Sequence, residues 1–189
     1  NEALATHIAA YGHDTGFDWA VARSFTTDHS VSIQHQKIVQ KAEQISGKTI
    51  QVIPVYLASG VDPFLSMKRC KQLGANIAEA VEAFEGNERV AVIASGGISH
   101  WVGVKDSGRV NEEFDRRILD YSCSLDVDAI ASLTNEQILE EGGNGAMELR
   151  NWVVTMAAVQ ADGSELVEYQ PVPEWVTGLG FVALSKSGV

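Results

Sequence analysis

The sequence predicts an α/β domain, a layered sandwich with a central, mostly buried sheet and helices on both faces. Three observations carry this expectation. Segments with a helical period alternate with short β-branched runs. Two of those runs, "TIQVIPVYLA" (49–58) and "RVAVIAS" (89–95), are almost wholly apolar, as strands covered on both faces are. The 189 residues suffice for one domain with a sizeable core, and no repeat or linker divides them.

Taken in order, "NEALATHIAAYGHDTG" reads as a helix with Leu4, Ile8 and Tyr11 on one face, stopping near Gly12. "FDWAVARSF" alternates and reads as a strand, and "TTDHSVSIQHQ" reads as a polar turn. "IVQKAEQIS" is helical up to Gly47. After the run at 49–58 comes a long amphipathic helix, "DPFLSMKRCKQLGANIAEAVEAFEG", with Asp62 as N-cap and Pro63 in its first turn. "NEEFDRRILDY" is a helix, and "DVDAIASLTNEQILEEGG" holds one or two short ones, with Thr134 and Gln137 spaced as a capping box. "AMELRNWVVTMAAVQADG" is helical up to Gly163. "ELVEYQPVPEW" and "TGLGFVALS" are two closing strands, with Trp175 expected in the core.

The net charge of −11 argues against a nucleic-acid backbone or an anionic membrane surface as partner, since both would repel the chain. No stretch reaches the roughly 18 apolar residues of a membrane span. Cys70 and Cys123 stand in no metal-binding spacing. They read as free thiols of a reducing compartment, which places the protein in the cytoplasm.

Ligands of open α/β sheets sit beyond strand ends, where loops converge. "GGISH" (96–100) follows the run at 89–95 at such an end. Gly96 and Gly97 permit positive φ or close backbone approach, and a histidine there, His100, can move protons near neutral pH. It can equally be a strand cap. Asp28 and His29, in "TTDHS", follow the first strand; the pair is either a turn with an exposed histidine or a second imidazole facing the same cleft. In "EEGGNGAMELRNW", Glu148 opens a helix. It serves there either as a carboxylate stabilised by the helix dipole or as a metal ligand. Thr177 is a turn hydroxyl or a donor to a ligand carboxylate. His7, His13 and His35 read as surface histidines. No GxSxG elbow is present, which counts against a hydrolase.

"FDWAVARSFTTDHS", "QVIPVYL", "KRCKQLGANIAEAV", "VAVIASGGISHWV", "GGNGAMELRNWVVTMAAV" and "YQPVPEWVTGLGF", in this order, resemble the class III extradiol ring-cleaving dioxygenases. The resemblance spans nearly the whole chain. It implies a mononuclear non-haem Fe(II) held by two histidines and a glutamate, with a catechol and O₂ as substrates. It gives Glu148 the ligand role, His100 the acid–base role and His29, with Asp28 beside it, a place in the substrate pocket. Thr177 falls in the last of these motifs. The family's usual DHG is DHS here, with Ser30 in the third place.

The two histidine ligands of that family match nothing in these residues, and neither His7 nor His13 is taken to replace them. The expectation is therefore one catalytic domain over 1–189, lacking the N-terminal part that would carry them. "PVPEW" looks most like the dihydroxyphenylpropionate branch and "GGNGAMELRNW" like the protocatechuate and gallate branch. The reading leans to a protocatechuate-like catecholic acid. A homo-oligomer or a small second subunit is expected. A catalytically silent binding module on the same scaffold is the alternative.

Overall fold

The computed structural model describes residues 1–24 and 26–188. Helix α1 (Glu2–Asp14) starts on Asn1, whose side chain accepts the Leu4 N–H. Helix α2 (His29–Gln34), a π-helical turn (His35–Val39) and α3 (Gln40–Ser46) follow one another without a break and close on Gly47, at φ 67°. The stretch read as a polar turn is thus helical from His29. Asp28 is the reason: its carboxylate accepts the Ser30 N–H at 3.0 Å and so caps the helix.

Helix α4 (Met67–Glu82) begins later than expected, on Ser66 rather than Asp62. The Ser66 hydroxyl takes the Arg69 N–H at 3.2 Å, which supplies the cap. Helix α8 (Leu149–Val159) lies against α4 at very close range. A Cβ on Gly74 would fall 2.2 Å from the Val154 carbonyl oxygen, so only glycine admits this approach. Cys70, Leu73 and Ile77 meet Leu149, Val153 and Met156 in the same core. Each such buried apolar side chain is worth about 1.5–3 kcal/mol.

Helix α5 (Glu112–Cys123) buries Phe114, Asp115, Ile118, Leu119 and Ser122 along one stripe. Helices α6 (Val127–Ala131) and α7 (Asn135–Gln137) follow, and the Thr134–Gln137 capping box forms in both directions. A π turn (Ile138–Gly142) and a 3-10 turn (Gly145–Glu148) lead into α8. Strands β1 (Gly163–Val172) and β2 (Thr177–Ser185) then pair antiparallel, with Val172 opposite Thr177 and an irregularity between Leu166 and Glu168. Gly180 of β2 leaves room for Ile98 and Leu119, which a Cβ would meet at 2.7 and 2.8 Å.

The α/β class holds, as helices around a small antiparallel sheet. The interior strands differ from expectation. Residues 17–24, 49–58 and 89–95 form no ladder among the described residues, and Phe25, the end of the first predicted strand, lies outside them. Val21, Val52, Val55, Tyr56, Val90 and Ile93 are each more than a third exposed. A β-branched run carries strand propensity, but a strand exists only where a neighbour answers its N–H and C=O groups. Trp175, expected in the core, is 70% exposed, because it sits in the turn (Pro173–Trp175) between the two strands. His7, expected at the surface, is half-buried with its ring 5.3 Å from that of Phe84. No helix of the described residues is long and apolar enough to cross a membrane.

Candidate functional site

The paired glycines answer to α8. Gly96 has φ 150°, and a Cβ there would meet the Glu148 Cβ at 2.7 Å. With no side chain in the way, the backbone of 95–97 lies flat against the start of α8 and is tied to it three times. Asn151 donates to the Ser95 carbonyl at 2.6 Å, the Trp152 indole donates to the Gly96 carbonyl at 3.1 Å, and the Gly97 N–H donates to Glu148 Oε2 at 3.1 Å.

His100 follows, and three elements hold its backbone. Its N–H donates to the Gly142 carbonyl at 2.8 Å, its carbonyl accepts the Gly145 N–H at 3.0 Å, and it forms a β-bridge with Thr177. On either side of it, the Ile98 N–H donates to the Gly178 carbonyl at 3.0 Å and the Gly178 N–H to the Ser99 carbonyl at 2.9 Å. The residue is 8% exposed. Its Nδ1 lies 3.2 Å from the Ile98 carbonyl oxygen, and its Nε2 lies 3.8 Å from Glu148 Oε2. A carbonyl can only accept, so the hydrogen bond assigns the proton of the neutral ring to Nδ1. Nε2 is then the basic nitrogen, on the side of Glu148.

Glycines also make the space for the ring. A Cβ on Gly145 would fall 2.0 Å from its Cδ2, and one on Gly97 would fall 2.3 Å from Thr177 Oγ1 and 3.3 Å from Nδ1. Thr177 itself donates to the Gly178 carbonyl at 3.2 Å. The structure therefore brings His100, Glu148 and Thr177 together.

Asp28 and His29 stand apart from that group. His29 is exposed at the first turn of α2, and no hydrogen bond or ion pair joins it to His100 or Glu148 among the described residues. Asp28 is occupied as a cap. The Ser30 hydroxyl bonds it at 2.6 Å and the Tyr56 hydroxyl at 3.3 Å, and the Ser30 bond leads in holding its carboxyl below the usual range. The helix nonetheless reaches the glycine pair: Gln34 donates to Ser95 Oγ at 3.3 Å.

Sequence reading missed the layer beneath. Asp115 is fully buried and accepts the Ser99 N–H at 2.7 Å and the Tyr169 hydroxyl at 2.8 Å. Burial raises its carboxyl above the ordinary value, against the pull of those two bonds, and burial and Asp115 together push the Tyr169 phenol up. Losing the carboxylate would leave the Ser99 N–H unpaired in the interior, at a cost of about 1–3 kcal/mol. Asn111 donates its N–H to Ser99 Oγ at 2.8 Å, and Asn144 and Val102 exchange two bonds of 2.9 Å. The signal for Asp115 was available: it shares the α5 stripe with Phe114, Ile118 and Leu119, and a carboxylate on an apolar stripe has a partner inside.

Among the described residues, Glu148 is the carboxylate paired with His100, and its side chain is 40% exposed. No group of three His, Cys, Asp or Glu side chains able to hold a metal ion occurs among the described residues.

Similarity to known proteins runs the length of the chain. The 2,3-dihydroxyphenylpropionate/2,3-dihydroxicinnamic acid 1,2-dioxygenase of Burkholderia vietnamiensis (strain G4 / LMG 22486) is 29% identical over 94% of this chain and 68% of its own length. The proteins of the same name from Rhodococcus jostii (strain RHA1) and Mycolicibacterium paratuberculosis are 26% and 28% identical, over 88% and 94% of this chain and 65% and 69% of their own lengths. The chain thus spans about two thirds of the relatives it matches. The model of one family, the catalytic LigB subunit of aromatic ring-opening dioxygenase, matches residues 1–180, and the chain belongs to that family.

Proposed function

We propose that this protein opens the ring of a catecholic aromatic acid with O₂ as an extradiol dioxygenase dependent on Fe(II). Family membership and the names of its relatives support ring opening. The observation that carries the reading for these residues is the placement of His100. It is a nearly buried imidazole whose Nδ1 faces a carbonyl and whose Nε2 faces a carboxylate oxygen. Such a ring can take a proton from a substrate hydroxyl at Nε2 and return it later.

Glu148 is the donor to the iron among the described residues. His29, at the start of the helix that touches Ser95, and Asp28, its cap, line the approach of the substrate, and the Thr177 hydroxyl turns from the Gly178 carbonyl to donate to the substrate carboxylate. The carboxylated catechol is protocatechuate-like, or bears the propionate chain named for the relatives. The test is oxygen uptake by the iron-loaded protein with protocatechuate and with 2,3-dihydroxyphenylpropionate in parallel, read together with the ring-opened product. Uptake stoichiometric with product supports the reading. Binding of both catechols without uptake contradicts it and favours a silent binding module.

A further inference from the structure

The peptide unit between Ile98 and Ser99 is bonded on both sides. Its N–H, that of Ser99, donates to Asp115 Oδ1 at 2.7 Å, and its carbonyl, that of Ile98, faces His100 Nδ1 at 3.2 Å. From these two contacts we infer that Asp115 is a positioning residue. It acts through the Ile98–Ser99 peptide to fix the tautomer and direction of the His100 imidazole.

The chain of bonds runs carboxylate, peptide, imidazole. A buried carboxylate at the N–H end polarises the amide and strengthens its carbonyl as an acceptor, since bonds in series reinforce one another at low dielectric. The strengthened carbonyl holds the proton on Nδ1 and leaves Nε2 as the basic nitrogen. The carboxylate also prevents the peptide from turning over. A turned peptide would place its N–H against Nδ1 and favour the opposite tautomer.

Other contacts hold the groups on either side of the peptide, among them the Gly178 N–H donated to the Ser99 carbonyl at 2.9 Å. Tyr169 donates to the other carboxylate oxygen at 2.8 Å, Asn111 donates to Ser99 Oγ at 2.8 Å, and the Ile98 N–H is taken by Gly178. Asp115 does not reach the ring. It supplies by way of one peptide what a carboxylate bonded to a histidine supplies directly.

The role in turnover rests on the acid–base reading of His100; the tautomer does not. The experiment is therefore in two arms, the first on metal-free protein labelled with ¹⁵N, with the His100 signals assigned by their loss in His100→Phe. In the wild type, the neutral ring carries its proton on Nδ1. In Asp115→Asn, which keeps an acceptor but loses the charge, the Ser99 amide proton and the His100 Nδ1 proton move upfield together, whereas Tyr169→Phe leaves the tautomer as it was. A wild-type ring protonated on Nε2, or an Asp115→Asn spectrum in which the two protons do not move together, overturns the inference.

The second arm is turnover of the iron-loaded protein. Asp115→Ala lowers kcat roughly 10–100-fold, the usual cost of losing an orienting partner, with KM changed less than about twofold and with Asp115→Asn restoring most of the rate. An Asp115→Ala protein that folds and keeps wild-type kcat, where His100→Phe has lost it, also overturns the inference. A His100→Phe protein with wild-type turnover refutes the acid–base reading while leaving the tautomer result standing. Should Asp115→Ala fail to fold, the spectra of the wild type and Asp115→Asn decide alone.

Discussion

Gly145 lies so close to His100 that a Cβ on it would fall 2.0 Å from Cδ2 and 2.2 Å from Nε2 of the imidazole. The residue is not among those with positive φ, so alanine is permitted by its backbone. The three atoms nearest to such a Cβ all belong to the His100 ring, so Gly145→Ala acts first on the ring, which must leave its place. The variant should fold and keep its iron while turnover drops by about 10²-fold or more, the low end for losing an acid–base group. Wild-type turnover in Gly145→Ala would show that the ring's position does not matter.

Glu148→Ala should lower the iron content of the protein after iron loading. The 189 residues alone should bind Fe(II) weakly, since no cluster of three donor side chains occurs among the described residues. Metal analysis after desalting checks both. Stoichiometric iron retained by Glu148→Ala would contradict the ligand role.

His29→Ala should impair turnover and leave the iron content unchanged, because the proposed function puts its side chain on the approach of the substrate. His29 is exposed at the start of α2, so stability should move by no more than about 0.5 kcal/mol. Loss of iron in that variant would assign His29 to the metal instead.

Cys70 is fully buried between α4 and α8, and burial pushes its thiol up to about 11. An aromatic disulfide reagent at pH 8 should leave it untouched in the folded protein and label it on denaturation, while the half-buried Cys123 reacts in the native state. Between the ordinary thiol value of 9.0 and about 11 the folded form binds the extra proton. Cys70 should therefore make stability fall as pH rises through that window, and Cys70→Ala should remove that part of the slope. Native labelling of both thiols at equal rates would contradict the packing.

Much of this was legible in the sequence. The Thr134–Gln137 capping box appears where its pattern puts it, and α4, α5, α8 and the two closing strands all form, although α4 starts on Ser66 rather than Asp62, α8 ends at Val159 with Gly163 already in β1, and Pro173–Trp175 is a turn rather than strand. "GGISH" was legible as a place of close approach because of its glycine pair, and Glu148 is what approaches. Other features were not legible for physical reasons. The helix at His29 depends on one cap, Asp28, inside a stretch whose composition suits a turn. The apolar runs at 49–58 and 89–95 show strand propensity, but propensity does not name the neighbour that completes a ladder. The Asp115–Ser99 bond spans 16 residues of chain and has no local period.

The central claim is that His100, held by its neighbours with Nε2 toward Glu148, moves the proton in ring opening. The most direct measurement is oxygen uptake by iron-loaded His100→Phe against the wild type, with iron content and fold checked in the same samples. Phenylalanine keeps the ring's bulk and removes both nitrogens. The account predicts unchanged iron and a fall in turnover of roughly 10²–10⁴-fold. Ring opening by His100→Phe at the wild-type rate would contradict it and leave "GGISH" as the cap of a strand end.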